Sequence, residues 1–298
     1  MQNWDDMRLF LVVAREQSLS GAGKILRLDP ATLGRRMARL EKAMQVALFV
    51  KSPQGYALTQ AGEQLLERAA AVEQAMRGAA IGDLAQSDTL SGQIRLGAPD
   101  GCANFLLPQV CAAICKENPS LDIQIVALPR VFNLTRREAD MAIGVSAPTA
   151  GRLVVRQITQ YQLHLAASET YLAEHGPIED LAALKGHRMV GYIPDMIFDR
   201  ELDYLADLGG GRVALASNSV SVQVNMLRQG AGVGVVHDFS LPFAPGLRRV
   251  LTELISLKRA FYLIRHVDDA RNERLARFAA VLSAGLRAEV TRLEAISV

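Results

Sequence analysis

Thr32, Arg35, Arg36 and Arg39 are the residues whose types and spacing most directly suggest chemistry in this chain. Guanidinium groups at such spacing share the outer side of a helix, where they can grip phosphates or pair bidentately with guanine O6 and N7. Thr32 can meet a thymine methyl or a phosphate. From Lys24 to Lys51 seven basic residues (Lys24, Arg27, Arg35, Arg36, Arg39, Lys42, Lys51) face two acidic ones (Asp29, Glu41), in a chain of net charge +2. A basic helix face is often a solvated face and nothing more, but a concentrated patch is also the footprint of a polyanion partner.

The elements that would position these residues can be read around them. Ser20 is placed to N-cap a first helix carrying Ala22, Ile25 and Leu26, and Asp29-Pro30 stops it and starts a second. Aspartate there can accept from a free first-turn amide, and proline at the first helical position loses no hydrogen bond. Leu33, Met37 and Leu40 then recur at helical spacing toward a core and leave the arginines outward. Leu48 to Lys51, a Ser52-Pro53-Gln54-Gly55 turn and Tyr56 to Thr59 read as a hairpin, the wing of a winged helix-turn-helix.

This ordered set resembles the DNA-binding half of a LysR-type transcriptional regulator. The residues that carry the resemblance are Phe10, Ser18-Leu19-Ser20, Ala22, Leu26, Ala31-Thr32-Leu33, Arg35, Leu40-Glu41, Leu48-Phe49 and Leu58-Thr59-Gln60-Ala61-Gly62. The resemblance implies DNA contacts from Pro30, Ala31, Thr32, Gly34, Arg35, Arg36, Arg39 and Lys51. Arg35 would reach a base or phosphate, Arg36 and Arg39 phosphates, and Lys51 the backbone across a groove. For Arg39 a surface pair with a neighbouring acid is the alternative. Pro30 and Gly34 depart from the glutamine and serine common in the family, which shifts more of the base reading onto Thr32 and Arg35.

Leu65, Ala69, Val72, Met76 and Ala79 alternate spacings of four and three, the seam of a two-stranded coiled coil, unless that stripe packs on the chain's own body. Beyond Gly92 the pattern turns to alternating strands and helices: Gln93 to Gly97, a helix from Phe105 to Glu117, Asp122 to Ala127, a short helix from Leu134 to Glu138 and Met141 to Gly144. A second group includes Leu163 to Ala166, Val213 to Leu215, Val233 to Val236 and Phe261 to Ile264, with a closing helix from Asn272 to Leu293. This order predicts a mostly parallel α/β sheet in two lobes with two crossovers. Ile94 to Gly97, Leu107-Pro108, Asn118-Pro119, Glu138 to Ile143 and Gly230 to Gly234 make the segment similar to the effector domain of the same family, a type 2 periplasmic-binding-protein-like fold. The expected domains are a winged helix-turn-helix over 1–60, a dimerisation helix and hinge over 61–90, and a two-lobed effector domain over 91–298.

Ligands of open α/β sheets bind beyond the carboxyl ends of strands, so Asp100, Gly101, Cys102, Pro129, Arg130, Tyr192, Asn218, Ser219 and His237 are the candidate effector contacts. Two signs conflict there. The helix after Asn218-Ser219 offers free amides to an anion and Arg130 could add positive charge, whereas a carboxylate at Asp100 would repel an anion or bind an amine, or else cap the helix that follows it.

Other motifs carry less. Cys111 and Cys115, one helical turn apart, read as buried thiols, and Cys102 lies in a pocket loop where reactivity is conceivable. Histidines 164, 175, 187, 237 and 266 lack metal-ligand spacing. Gly230, Gly232 and Gly234 mimic a nucleotide loop but lack its strand-before, helix-after context. No catalytic residue, metal or cofactor is expected. Half the residues are hydrophobic and 21% charged, a globular composition. With no signal peptide or membrane span, the expected location is the cytoplasm and the expected cysteine state is thiol. The function expected is a bacterial regulator that binds a double-stranded DNA operator and a small-molecule effector as a homodimer or homotetramer. The alternative is a two-lobed binding protein or metabolic enzyme with dimerising N-terminal helices, and the Arg35, Arg36, Arg39 and Lys51 set separates the two.

Overall fold

The computed structural model describes residues 4–52, 55–78, 89–127, 139–148, 151–205 and 212–297. The chain divides into two compact units, the first spanning Met1–Ser87 and the second lying beyond it.

In the first unit α1 (Trp4–Glu16), α2 (Leu19–Leu26) and α3 (Pro30–Met44) precede a hairpin of β1 (Phe49–Ser52) and β2 (Gly55–Leu58), and α4 (Gln60–Gly78) follows. Leu9, Phe10, Val13, Ala22, Leu33, Met37, Leu40, Leu48 and Phe49 form one core. The cap of α2 differs from the expectation: Ser18, not Ser20, accepts from the Gly21 amide at 3.2 Å. Ile25 is 59% exposed rather than packed. Asp29 does cap α3, accepting from the Thr32 amide at 3.1 Å with Pro30 in the first turn. The hairpin is antiparallel, pairing Phe49 with Leu58 and Lys51 with Tyr56. Glu41 seats it, because its carboxylate accepts from the Leu48 and Phe49 amides at 2.8 and 3.1 Å. At Gly62 a Cβ would lie 2.1 Å from the Leu48 carbonyl oxygen, so glycine is what lets α4 close on the wing.

The coiled-coil stripe is redistributed. Leu65, Leu66, Ala69 and Ala70 are buried in the unit's own core, and Arg15 of α1 donates to Glu73 of α4 at 2.7 Å. Val72 stays 46% exposed, and the side chains of Met76 and Ala79 lie outside the described residues. The spacing of four and three thus reports, at Leu65 and Ala69, an intramolecular helix contact.

The second unit is built on β3 (Gly92–Ala98), α5 (Asp100–Phe105), α6 (Leu107–Glu117), β4 (Leu121–Ala127), β5 (Met141–Gly144), β6 (Leu153–Ser168), α7 (Glu169–His175), β7 (Met189–Gly191), β8 (Val213–Ala216), α8 (Val220–Arg228), β9 (Val233–His237), β10 (Leu247–Val250), β11 (Leu257–His266) and α9 (Glu273–Ile296). Its strands run in the order β4-β3-β5-β11-β6-β9-β7-β8, with β10 also on β6. The sheet is mixed rather than mostly parallel. The βαβ pairings β3 to β4, β3 to β5, β7 to β8 and β7 to β9 are parallel, and every pairing of β6 and β11 is antiparallel. Those two long strands are the crossovers: one half of β11 pairs β5, while the far half of β6 pairs β9 and β10. Each lobe thereby keeps its own parallel pairs on a shared antiparallel ribbon.

The helix expected from Phe105 to Glu117 is two helices broken at Leu106, with Pro108 starting the second. The short helix expected over Leu134 to Glu138 lies outside the described residues. Gly232 has φ +149°, and a Cβ there would fall 2.1 Å from the Arg188 carbonyl, so the glycines between α8 and β9 make a tight turn. Helix α9 starts at an Asn272 cap that accepts from the Leu275 amide and buries Leu275, Phe278, Leu282, Leu286 and Val290.

Candidate functional site

On α3, Pro30, Ala31, Arg35 and Arg39 are exposed and Thr32, Gly34 and Arg36 half-buried. Arg35 donates to the Thr32 hydroxyl at 3.1 Å, so the two form one polar pair, and no carboxylate bonds Arg35 among the described residues. Arg36 and Arg39 are placed differently. Arg36 donates from Nε to Asp6 at 2.6 Å and bridges Asp5 at 2.5 Å; Arg39 clasps both oxygens of Asp6 at 2.7 and 2.8 Å. The guanidinium of Arg36, and after it that of Arg8, holds the Asp5 carboxyl below its usual range. Asp6 is 5% exposed, so it is a fixed counter-charge for both arginines, and Arg39 takes the acid-paired alternative left open for it. Lys51 lies on β1 opposite Tyr56. A Cβ at Gly34 would meet little beyond Leu19 Cδ1 at 3.4 Å, so nothing described in this unit requires glycine there.

In the second unit Asp100, Gly101, Ser219 and His237 meet where α5 approaches α8; Tyr192 packs edge-on against Tyr204, which in turn meets His237, Cys102 is buried in the core, Asn218 directly precedes the Ser219 cap, and Pro129 and Arg130 lie outside the described residues. Ser219 caps α8 by accepting from the Val222 amide at 3.3 Å. Asp100 does not cap its own helix, whose N-cap is Pro99. Its Oδ2 accepts from the Ser219 hydroxyl at 3.1 Å, the Ser221 amide at 3.0 Å and the Ser221 hydroxyl at 3.2 Å, while Asn104 donates to Oδ1. The conflict between the anion-seeking helix and the resident carboxylate resolves as a bond between them, since the free amides and dipole of a helix N-terminus favour negative charge. A second tie joins the Ser146 hydroxyl after β5 to Asp199 beyond β7.

Behind these ties lies a buried aromatic cluster. His237 is 4% exposed, with Nε2 3.4 Å from the Tyr204 hydroxyl and its ring 5.4 Å from that of Tyr161. Burial pulls the imidazole down to about 3, so it is neutral, and pushes the hydroxyls of Tyr161, Tyr192 and Tyr204 up, so they stay protonated. Among the described residues, the buried Tyr161 hydroxyl and His237 Nδ1 have no hydrogen-bond partner. A cavity of about 590 Å³ adjoins the cluster, lined among others by Val190, Tyr192, Leu202, Tyr204, Gln223 and Val235. Cys102 is fully buried, and burial pushes its thiol up as it does Cys111, the latter to about 12, which removes the thiolate needed for reactivity. Sequence reading missed Asp5, Asp6, Ser221, Tyr161 and Tyr204. The first two form an acidic pair near the N-terminus of α1; Tyr161 has a signal in the alternation of β6, once that strand is extended back to Leu153.

Two family models match in tandem: "Bacterial regulatory helix-turn-helix protein, lysR family" over residues 4–63 and "LysR substrate binding domain" over 87–287. The chain is 24% identical over 294 residues to the Mau operon transcriptional activator of Paracoccus denitrificans, covering 99% of this chain and 100% of that one. It is 26% identical over 246 residues to the HTH-type transcriptional regulator PtxR of Pseudomonas aeruginosa, 80% of this chain and 77% of the other. In fold it is similar to ArgP from Mycobacterium tuberculosis (TM-score 0.70, 17% identity, 96% of this chain and 98% of that one). It is also similar to CrgA, a LysR-type transcriptional regulator from Neisseria meningitidis (TM-score 0.59, 24% identity, 96% and 99%).

Proposed function

The chain belongs to the LysR family of transcriptional regulators, and on that premise we propose how its residues divide the work. It is a DNA-binding regulator with an effector-binding domain, not an enzyme. In our reading the winged helix-turn-helix of residues 1–60 enters the major groove with α3, residues 61–90 join two copies, and residues 91–298 take the effector between their lobes. Thr32 and Arg35 read bases; Pro30, Ala31 and Gly34 approach the DNA backbone; Lys51 grips phosphate from the wing; Arg36 and Arg39 contribute to phosphate binding only to the extent that Asp6 releases them. The assembly is a homodimer or a tetramer of dimers, because two-fold operators are matched by paired readers. No described helix is long and apolar enough to cross a membrane, which fits a regulator that works on DNA in the cytoplasm.

The observation that carries the reader assignment is the exposed Arg35, bonded to Thr32 rather than to an acid. Effector binding between the lobes acts on DNA only through a different affinity for two lobe arrangements. The test is a fluorescence titration of the full chain against DNA flanking its own gene, repeated over a salt series. Affinity is expected to fall with salt by roughly 0.9 log units per log unit for each phosphate contact; a flat salt response refutes the reader.

A further inference from the structure

The anion seat of the effector cleft is already taken by a residue of the chain. Helix α8 has nine residues, and its cap hydroxyl, Ser219 Oγ, converges on Asp100 Oδ2 together with the amide and the hydroxyl of Ser221. An external carboxylate would need the same donors and would meet the Asp100 charge at contact distance. Next to the seat, the donors and acceptors that lack a partner among the described residues are uncharged. A Cβ built on Gly101 would meet both His237 Cε1 and Val220 Cγ1 at 3.5 Å, which places the edge of the imidazole against the first turns of α5 and α8. Tyr161 and His237 are 1% and 4% exposed, and among the described residues the Tyr161 hydroxyl and His237 Nδ1 have no hydrogen-bond partner; a buried polar atom left so favours any ligand group that bonds it. Arg259, which lies over the Tyr204 ring, is paired with Glu201 at 2.8 Å and offers no free cation.

We propose that Asp100 is a tethered anion that excludes anionic effectors from this cleft, and that the ligand it takes is an uncharged, hydrogen-bonding molecule held by Tyr161 and His237. This rests on the effector-cleft reading above and names the ligand class for it. In the test, full-length wild type and Asp100→Ser are heated with sodium benzoate, with its uncharged counterpart benzamide, and with sodium chloride at matched ionic strength. Wild type is expected to ignore benzoate, whereas Asp100→Ser gains a saturable rise in Tm of roughly 3 °C at ten times Kd. The gain is expected to shrink in Asp100→Ser/Ser219→Ala. Benzamide is expected to stabilise wild type and to lose that effect in His237→Phe. Stabilisation of wild type by benzoate, absence of the benzoate gain in folded Asp100→Ser, or a wild type blind to benzamide each overturns the proposal. The wild-type arms hold even if the serine variant does not fold. DNA binding of the same samples is read in parallel: its absence in wild type refutes the regulator reading without touching the benzoate result.

Discussion

In the first unit the carboxylate of Asp6 accepts from Arg36 and Arg39 of another helix, and in the second that of Asp100 accepts from the head of α8. Both aspartates hold donors that could otherwise serve an external anion, a phosphate in one case and a ligand carboxylate in the other. Their surroundings differ. Asp6 is a nearly buried residue inside a helical core, so its pairing is a fixed part of that unit. Asp100 is half-buried and bonds α5 to α8 at the surface of the second unit's common core, so in the proposed reading its pairing is the one that a change in lobe arrangement would make or break. An internal anion within a rigid body edits which side chains remain for binding; one between two bodies edits which state is populated.

Arg35→Ala tests the edited reader most strongly. Loss of one bidentate base contact costs about 1–3 kcal/mol, so affinity for the operator should fall by roughly tenfold to a hundredfold with the unfolding midpoint unchanged. Arg39→Ala, already paired with Asp6, should cost less than about threefold. Equal losses in a titration at fixed salt would break the distinction between them. Asp6→Asn attacks the same contrast from the other side. Leaving two guanidiniums without their buried counter-charge should destabilise the first unit by about 2 kcal/mol, below the usual figure for a buried pair because Arg39 is largely exposed. It should also steepen the salt dependence of DNA binding, since the freed arginines can now meet phosphate.

The two units also differ in their acid windows. His237 is held neutral in the fold down to about 3 against its ordinary 6.5. Below pH 6.5 the unfolded chain binds a proton there that the folded chain refuses, so stability is full above 6.5 and is lost as pH falls toward 3. The slope for this one group is about 1.4 kcal/mol per pH unit. Asp5, lowered from 3.8 by Arg36 and Arg8, has the opposite chemistry but the same direction: its contribution is present above 3.8 and lost only below it. Denaturant unfolding between pH 7 and pH 5 should therefore weaken the second unit first, and His237→Phe should flatten that slope. A first unit that weakens earlier would contradict the assignment.

What was legible in the sequence was whatever is written locally. Asp29-Pro30, the wing turn and Ser219 before α8 announce themselves because a cap or turn is a contact among near neighbours in the chain. Many of the second unit's strand segments are legible in order, but β7, β10 and the first half of β6 are not, and neither is the mixed sheet, because an antiparallel crossover is a partnership between Leu153–Ser168 and Leu257–His266, about a hundred residues away. The stripe on α4 was ambiguous for a related reason: Leu65 and Ala69 obey the same spacing whether they meet a second chain or Phe10 of their own. The tie from Asp100 to Ser221 joins positions 100 and 221, and no local pattern signals it; the sequence showed only that its two halves were in conflict.

Gly34 gives the smallest effect and the finest test of the reader. Glycine inside a helix costs about 1 kcal/mol relative to alanine, and at this position a Cβ would touch only Leu19 Cδ1 at ordinary distance. The fold therefore gains nothing described from the missing side chain. Gly34→Ala should stabilise the first unit by about 1 kcal/mol in denaturant unfolding, within the limits of that helix propensity. If glycine is there for DNA, the same variant should bind more weakly, because a methyl group would stand where the backbone of α3 approaches phosphate or base beside Arg35. A more stable variant with unaltered affinity would mean that the reading surface begins at Thr32 and Arg35 and does not include the backbone between them.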